Sequence, residues 1–158
     1  MPGARAKGPF PALALPDLVG TTRSLAEAWA EGDALILIGH RDCKTTRQTL
    51  PFLDRIHGRR APGREVRLVL QDDVETARSL VKDLGLEVPV RLETDPYPLA
   101  AALELVAVPT LFLVGPDGTI AQISEGFWRA DLETFAERLG VTGPLFVPED
   151  KAPEFRPG

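Results

Sequence analysis

The stretch Ala34-Leu35-Ile36-Leu37-Ile38-Gly39-His40-Arg41-Asp42-Cys43-Lys44-Thr45-Thr46-Arg47 changes character at Gly39. Five apolar residues stand between the turn signals Glu31-Gly32-Asp33 and Gly39. A short unbroken apolar run of this kind marks a strand covered on both faces, as at the centre of a parallel sheet. From His40 to Thr49 no apolar residue stands beside Cys43. Leu50, Leu53 and Ile56 then recur at helical spacing, which predicts a helix over 43–57. The single cysteine therefore falls where a buried strand gives way to a helix.

The flanking sequence extends this pattern. Ser24 followed by Glu27 resembles a capping box and opens a short helix through about Trp29. Val66–Leu70 reads as a second buried strand. Asp72 or Asp73 caps the next helix, which stops at Gly85. Val90–Leu92 is a short strand and Pro98–Leu105 a short helix. Thr110–Val114 and Thr119–Ile123 flank Gly115-Pro116-Asp117-Gly118, a strong hairpin signal. A final helix covers Arg129–Leu139. Strand–helix–strand units followed by a hairpin predict an α/β fold with a central mixed sheet flanked by helices, closed by a C-terminal hairpin and helix. The expected organisation is an extended arm over 1–23, one domain over 24–140, and a Pro-rich tail over 141–158.

Composition bounds the function. The chain has 158 residues, 44% of them hydrophobic and 26% charged, which suits one globular domain. A net charge of -5 with no basic stripe gives no footprint for nucleic acid or an anionic membrane surface. The apolar run 34–38 is too short to span a bilayer. The N-terminal residues carry positive charge with no apolar segment behind them, so no secretory signal is expected. One cysteine precludes an internal disulfide and fits a reducing compartment, so the expected location is the cytoplasm. One cysteine and two histidines make no metal-ligand set, and the glycines show no phosphate-loop pattern. No metal or cofactor is expected.

Cys43 is the candidate nucleophile. A lone cysteine is otherwise a small buried hydrophobe, but the polar neighbours Arg41, Asp42, Lys44, Thr45 and Thr46 are not core composition. The first turn of a helix offers free N–H groups and a positive dipole end, which favour the thiolate. Lys44, Arg41 and His40 add positive potential, and Asp42 opposes them or caps the helix. Thr46, three residues on, lies on the same helix face, where its hydroxyl could reach the sulfur. His40 is a candidate proton shuttle, with a solvated loop residue as the alternative. His57 is expected at the surface.

The same residues resemble the active-site strand and helix of the thioredoxin-like superfamily, in which a buried strand leads into Trp-Cys-x-x-Cys. Cys43 matches the first cysteine, Thr46 the second, and Pro51 the proline eight residues after the first. A proline there also deletes the helical bond to the Arg47 carbonyl. Val108-Pro109-Thr110-Leu111-Phe112, followed by Asp117-Gly118, resembles the family's cis-proline loop and hairpin. The resemblance implies that Pro109 opposes the cysteine and that Val108 contacts substrate backbone. Pro16-Asp17-Leu18-Val19-Gly20 with Ser24-Leu25 is similar to the lead-in of the redoxin branch, which holds the TlpA/ResA-like proteins and the AhpC/TSA-like peroxiredoxins. The likeness runs over about residues 8–140.

The departures constrain the chemistry. Thr46 replaces the resolving cysteine, Asp42 replaces the tryptophan, and Leu37 stands where thioredoxin keeps a buried acid. A dithiol cycle closed by an internal disulfide is excluded. Peroxiredoxins place threonine three residues before their cysteine, whereas here the order is reversed. The expected function is a monothiol thiol–disulfide oxidoreductase or redox adaptor, with Cys43 and Thr46 at the centre. Val108 and Pro109 would bind substrate, with His40 and Lys44 in support. Its partner would be a protein or a low-molecular-weight thiol or disulfide. The alternatives are a one-cysteine peroxidase and a non-catalytic peptide-binding domain.

Overall fold

The computed structural model describes residues 8–158, so the first seven residues of the expected arm lie outside it. A five-stranded sheet runs in the order β5 (Val90–Leu92), β4 (Glu65–Leu70), β3 (Ala34–Gly39), β6 (Thr110–Val114), β7 (Ile120–Glu125). β3 pairs in parallel with β4 and β4 with β5, while β6 runs antiparallel to β3 and β7 antiparallel to β6. This is the mixed α/β sheet expected from the element order.

All six residues of β3 are buried, and alternate side chains enter different cores. Leu35 and Leu37 join Leu50, Leu53 and Ile56 of α1 (Lys44–Arg59), and Leu132 and Phe135 of α4 (Arg129–Arg138). Ala34, Ile36 and Ile38 join Leu25, Trp29, Leu99 and Phe112 on the opposite face. Each fully buried aliphatic side chain contributes about 1.5–3 kcal/mol, so a strand apolar on both faces anchors both layers.

Local signals set the helix ends. Asp73, rather than Asp72, caps α2 (Val74–Leu84), its carboxylate accepting from the Thr76 N–H at 2.8 Å. The helix stops at Gly85, whose φ of 63° is the left-handed conformation that glycine adopts without strain. α1 continues through Pro51. β7 begins and ends slightly later than the predicted strand. α3 (Pro98–Ala102) is shorter than predicted.

Both ends of the domain differ from expectation. Within the supposed arm, β1 (Ala14–Pro16) and β2 (Thr22–Ser24) form an antiparallel pair, and Phe10 and Leu15 are buried. The segment after α4 is packed against the domain instead of trailing from it. Leu145 and Phe146 are buried. The Phe146 ring lies 4.6 Å from Phe52 and 6.1 Å from Phe127, and the Arg129 guanidinium stacks over it at 5.0 Å. Arg55 of α1 grips Asp150 bidentately at 2.8 and 3.1 Å and bonds the Leu145 carbonyl at 2.8 Å. β9 (Phe155–Arg156) then pairs with β8 (Phe127–Trp128). Neither two-residue strand carries a periodicity that sequence reading could detect. His57, expected at the surface, is half-buried, and burial lowers its pKa.

Two outcomes follow from this packing. Phe146→Ala is expected to cost about 3–5 kcal/mol in denaturant unfolding; a change near zero would mean that the segment is a loose tail. The bond to Arg55 pulls the Asp150 carboxyl from its ordinary 3.8 down to about 2. A folded-state pKa below the unfolded one adds stability that is complete above the unfolded value and lost as pH falls through the folded one. Thermal melting should therefore fall more steeply between about pH 4 and pH 2 in the wild type than in Asp150→Asn.

Candidate functional site

The register of the central sheet builds the site. Ile38, near the end of β3, lies opposite Thr110, the first residue of β6. That pairing sets the loop leaving β3, which carries Cys43, beside the loop entering β6, which carries Val108 and Pro109. The Val108–Pro109 peptide bond is cis, as is Asp95–Pro96, which carried no sequence signal. Thr110 Oγ1 donates to the Ala107 carbonyl at 2.7 Å, and the Gly126 N–H donates to the Pro109 carbonyl at 2.8 Å.

The cysteine loop is held on each side. The Gln71 N–H donates to the Gly39 carbonyl at 2.9 Å, and the Arg41 N–H to the Asp72 carboxylate at 3.0 Å. Burial raises the pKa of Asp72, and the Arg41 bond opposes that shift. The Arg47 guanidinium bonds the Arg41 carbonyl. The Cys43 N–H closes a turn onto the His40 carbonyl at 3.2 Å.

Cys43 itself is the N-cap of α1, the position that sequence reading offered to Asp42. The Thr46 N–H points at Cys43 Sγ at 3.4 Å, and the thiol donates to the Val108 carbonyl at 3.4 Å. Cys43 is half-buried. An N–H donor serves a thiolate better than a thiol, whereas the Val108 oxygen is satisfied only by S–H. The sulfur thus sits between a helix-start donor and a loop acceptor.

The other candidate residues are placed as follows. The Thr46 side chain is fully buried, and its hydroxyl does not bond the sulfur; Oγ1 has no hydrogen-bond partner among the described residues. It packs on Gly39, where an added Cβ would lie 2.7 Å from Thr46 Cγ2 and 2.8 Å from Oγ1. His40 accepts from the Asp42 N–H at 3.1 Å through Nδ1, so that nitrogen orders the loop rather than facing the thiol. Lys44 is exposed at the start of α1. Val108 is half-buried and Pro109 buried.

Sequence reading missed the C-terminal residues that pack on the first turn of α1 and on the Val108 loop. Thr45 Oγ1 donates to the Pro157 carbonyl at 2.6 Å, and Arg156 Nη1 to Gln48 Oε1 at 2.8 Å. A Cβ on Gly158 would lie 2.1 Å from the Val108 carbonyl oxygen that receives the Cys43 thiol. Only long-range packing brings these residues to the site, so no local pattern could have shown them.

No family model and no curated protein matches the chain. Its structure is similar to that of a protein from Chlorobium tepidum provisionally described as the thiol:disulfide interchange protein DsbE. The TM-score is 0.74 at 21% identity, covering 84% of this chain and 94% of that one. It is also similar to the thioredoxin domain of thiol-disulfide oxidoreductase BVU-2223 from Bacteroides vulgatus, with a TM-score of 0.72, 20% identity and coverage of 84% and 95%. A third likeness is to peroxidoxin BcpB from Mycobacterium tuberculosis, with a TM-score of 0.64, 14% identity and coverage of 76% and 84%. Among the described residues no helix is long and apolar enough to cross a membrane. The chain has the thioredoxin fold.

The contact between Gly39 and Thr46 yields a direct check. Gly39→Ala is expected to destabilise the protein by about 1–3 kcal/mol through overpacking. Adding Thr46→Ala should recover most of that loss, a coupling read from a double-mutant cycle in urea.

Proposed function

We propose that the protein is a monothiol thiol–disulfide oxidoreductase or redox adaptor acting through Cys43. The observation that carries this reading is the position of the lone sulfur. It caps α1 under the Thr46 N–H, on a half-buried residue, beside the Val108–Pro109 loop. In the proposed cycle, the Cys43 thiolate attacks one sulfur of a disulfide. A Cys43–S bond forms, the original S–S bond breaks, and the leaving thiolate takes up a proton. An external thiolate then attacks the mixed disulfide, freeing Cys43 and leaving a new disulfide between the two partners. Thr46 has no sulfur to compete for the second step. The likeness to thiol-disulfide oxidoreductases of known structure supports the reading. The proposal includes a protein or small-molecule thiol partner and a reducing, cytoplasmic setting.

The likeness to a peroxidoxin motivates a second reading, in which a peroxide oxidises Cys43 to the sulfenic acid. One experiment separates them. The reduced protein is treated in parallel with glutathione disulfide and with hydrogen peroxide, and intact mass is followed. The expected result is a single glutathione adduct, absent in Cys43→Ser and removed by added thiol. Failure of wild type to form the adduct sinks the proposal. Sulfenate formation faster than in free cysteine, without the adduct, establishes the peroxidase instead.

A further inference from the structure

We propose that residues 155–158 form a strap that screens the Cys43 sulfur from macromolecular disulfides and leaves it open to small ones. This rests on the monothiol reading and assigns its substrate class as low-molecular-weight.

The strap is seated by backbone as well as side chains. β9 pairs with β8, and the Phe155 ring stacks on Trp128 with centroids 4.1 Å apart. Upstream, the Arg129 N–H donates to the Glu154 carbonyl at 3.0 Å. A Cβ at Gly126 would stand 2.7 Å from the Arg156 carbonyl oxygen, so the strap rests on bare backbone there. It then crosses the first turn of α1 through the Thr45–Pro157 and Gln48–Arg156 bonds of 2.6 and 2.8 Å. It finishes against the Val108 carbonyl, the group that the Cys43 thiol contacts at 3.4 Å. The strap therefore touches the elements on two sides of the sulfur, α1 and the Val108–Pro109 loop.

On the other flank the surface is open. Arg41, Asp42 and Lys44 are exposed. His40 and Val108 also border a cleft of about 250 Å³ with Gln71, Leu105 and Val106. That volume is below the roughly 300–1,000 Å³ of a typical pocket for a drug-sized ligand. The cleft opens beside the Cys43 loop, with His40 and Val108 on its wall. Attack on a disulfide needs the two partner sulfurs to line up with the attacking one. A small disulfide meets that demand from the open flank alone. A protein disulfide brings backbone to both flanks and meets the strap.

The experiment compares Cys43 alkylation by N-ethylmaleimide and by maleimide borne on a long polyethylene glycol, in the full chain. The variants are Thr45→Val with Arg156→Ala, which removes both bonds to α1, and Gly158→Val, which forces the strap from Val108 without altering α1. Circular dichroism and thermal melting verify folding of each. In the wild type the polymer-borne reagent should lag the small one. In either folded variant the ratio of polymer-borne to small-reagent rates should rise roughly tenfold, the change that about 1.4 kcal/mol of lost seating produces. Equal rates for the two reagents in the wild type, or an unchanged ratio in both variants, overturns the strap. Glutathione-adduct formation, measured on the same samples, reports separately on the monothiol reading: its absence with an altered alkylation ratio rejects that chemistry while leaving the screen in place.

Discussion

The pairing of Ile38 with Thr110 is the constraint on which the rest of the molecule depends. β3 is the only strand of the sheet with a parallel neighbour on one side and an antiparallel one on the other. The parallel side brings α1 back over the sheet, and the antiparallel side delivers the Val108–Pro109 loop to the same sheet end. A slip of one residue would turn Leu35 and Leu37 away from α1 and α4 and carry Ile36 into their place. Because both faces of β3 are buried, such a slip disrupts two cores at once. The position of the sulfur between a helix N–H and a loop carbonyl is thus enforced by apolar packing well beneath it.

The fold was legible because its central elements carry strong local signals. An apolar run bounded by turn residues marked β3, glycine in the left-handed region ended α2, and a Gly-Pro-Asp-Gly turn joined β6 to β7. The finer parts of the site were not. Sequence spacing put Thr46 on the cysteine's helix face, but spacing does not fix a side-chain rotamer. The missing Cβ of Gly39 lets the Thr46 side chain pack inward, and its backbone N–H meets the sulfur instead. Asp42 looked like a cap because carboxylates favour that place, yet its N–H is taken by His40 and the cap is the sulfur itself. His57 looked like a surface residue from its neighbours, but the fold half-buries it.

The C-terminal segment shows how a Pro-rich stretch without periodicity can still belong to a core. It docks in three steps of different chemistry: an apolar plug at Leu145 and Phe146, an ionic clasp at Asp150, and a strand pair at Phe155–Arg156. Prolines narrow the conformations of the unbound segment and so reduce the entropy lost when it docks. None of the three contacts has a neighbour in sequence to announce it. Composition alone therefore described a tail, whereas the surface that receives it was distributed over α1, β8 and α4.

The hydrogen bonds from the strap to α1 join residues 112 and 108 positions apart, and the sulfur and Val108 are separated by 65. Closing loops of that length costs entropy before any contact rewards it, so such contacts form late. During synthesis Cys43 emerges long before β6 and longer still before the strap. A nascent or partly folded chain therefore presents its one thiol without the cover it later acquires. The folded protein keeps that vulnerability in reduced form, since a surface segment held by a few bonds is the first to open. Assembly order thus sets when this sulfur is most open to oxidation, independently of the chemistry it performs once folded.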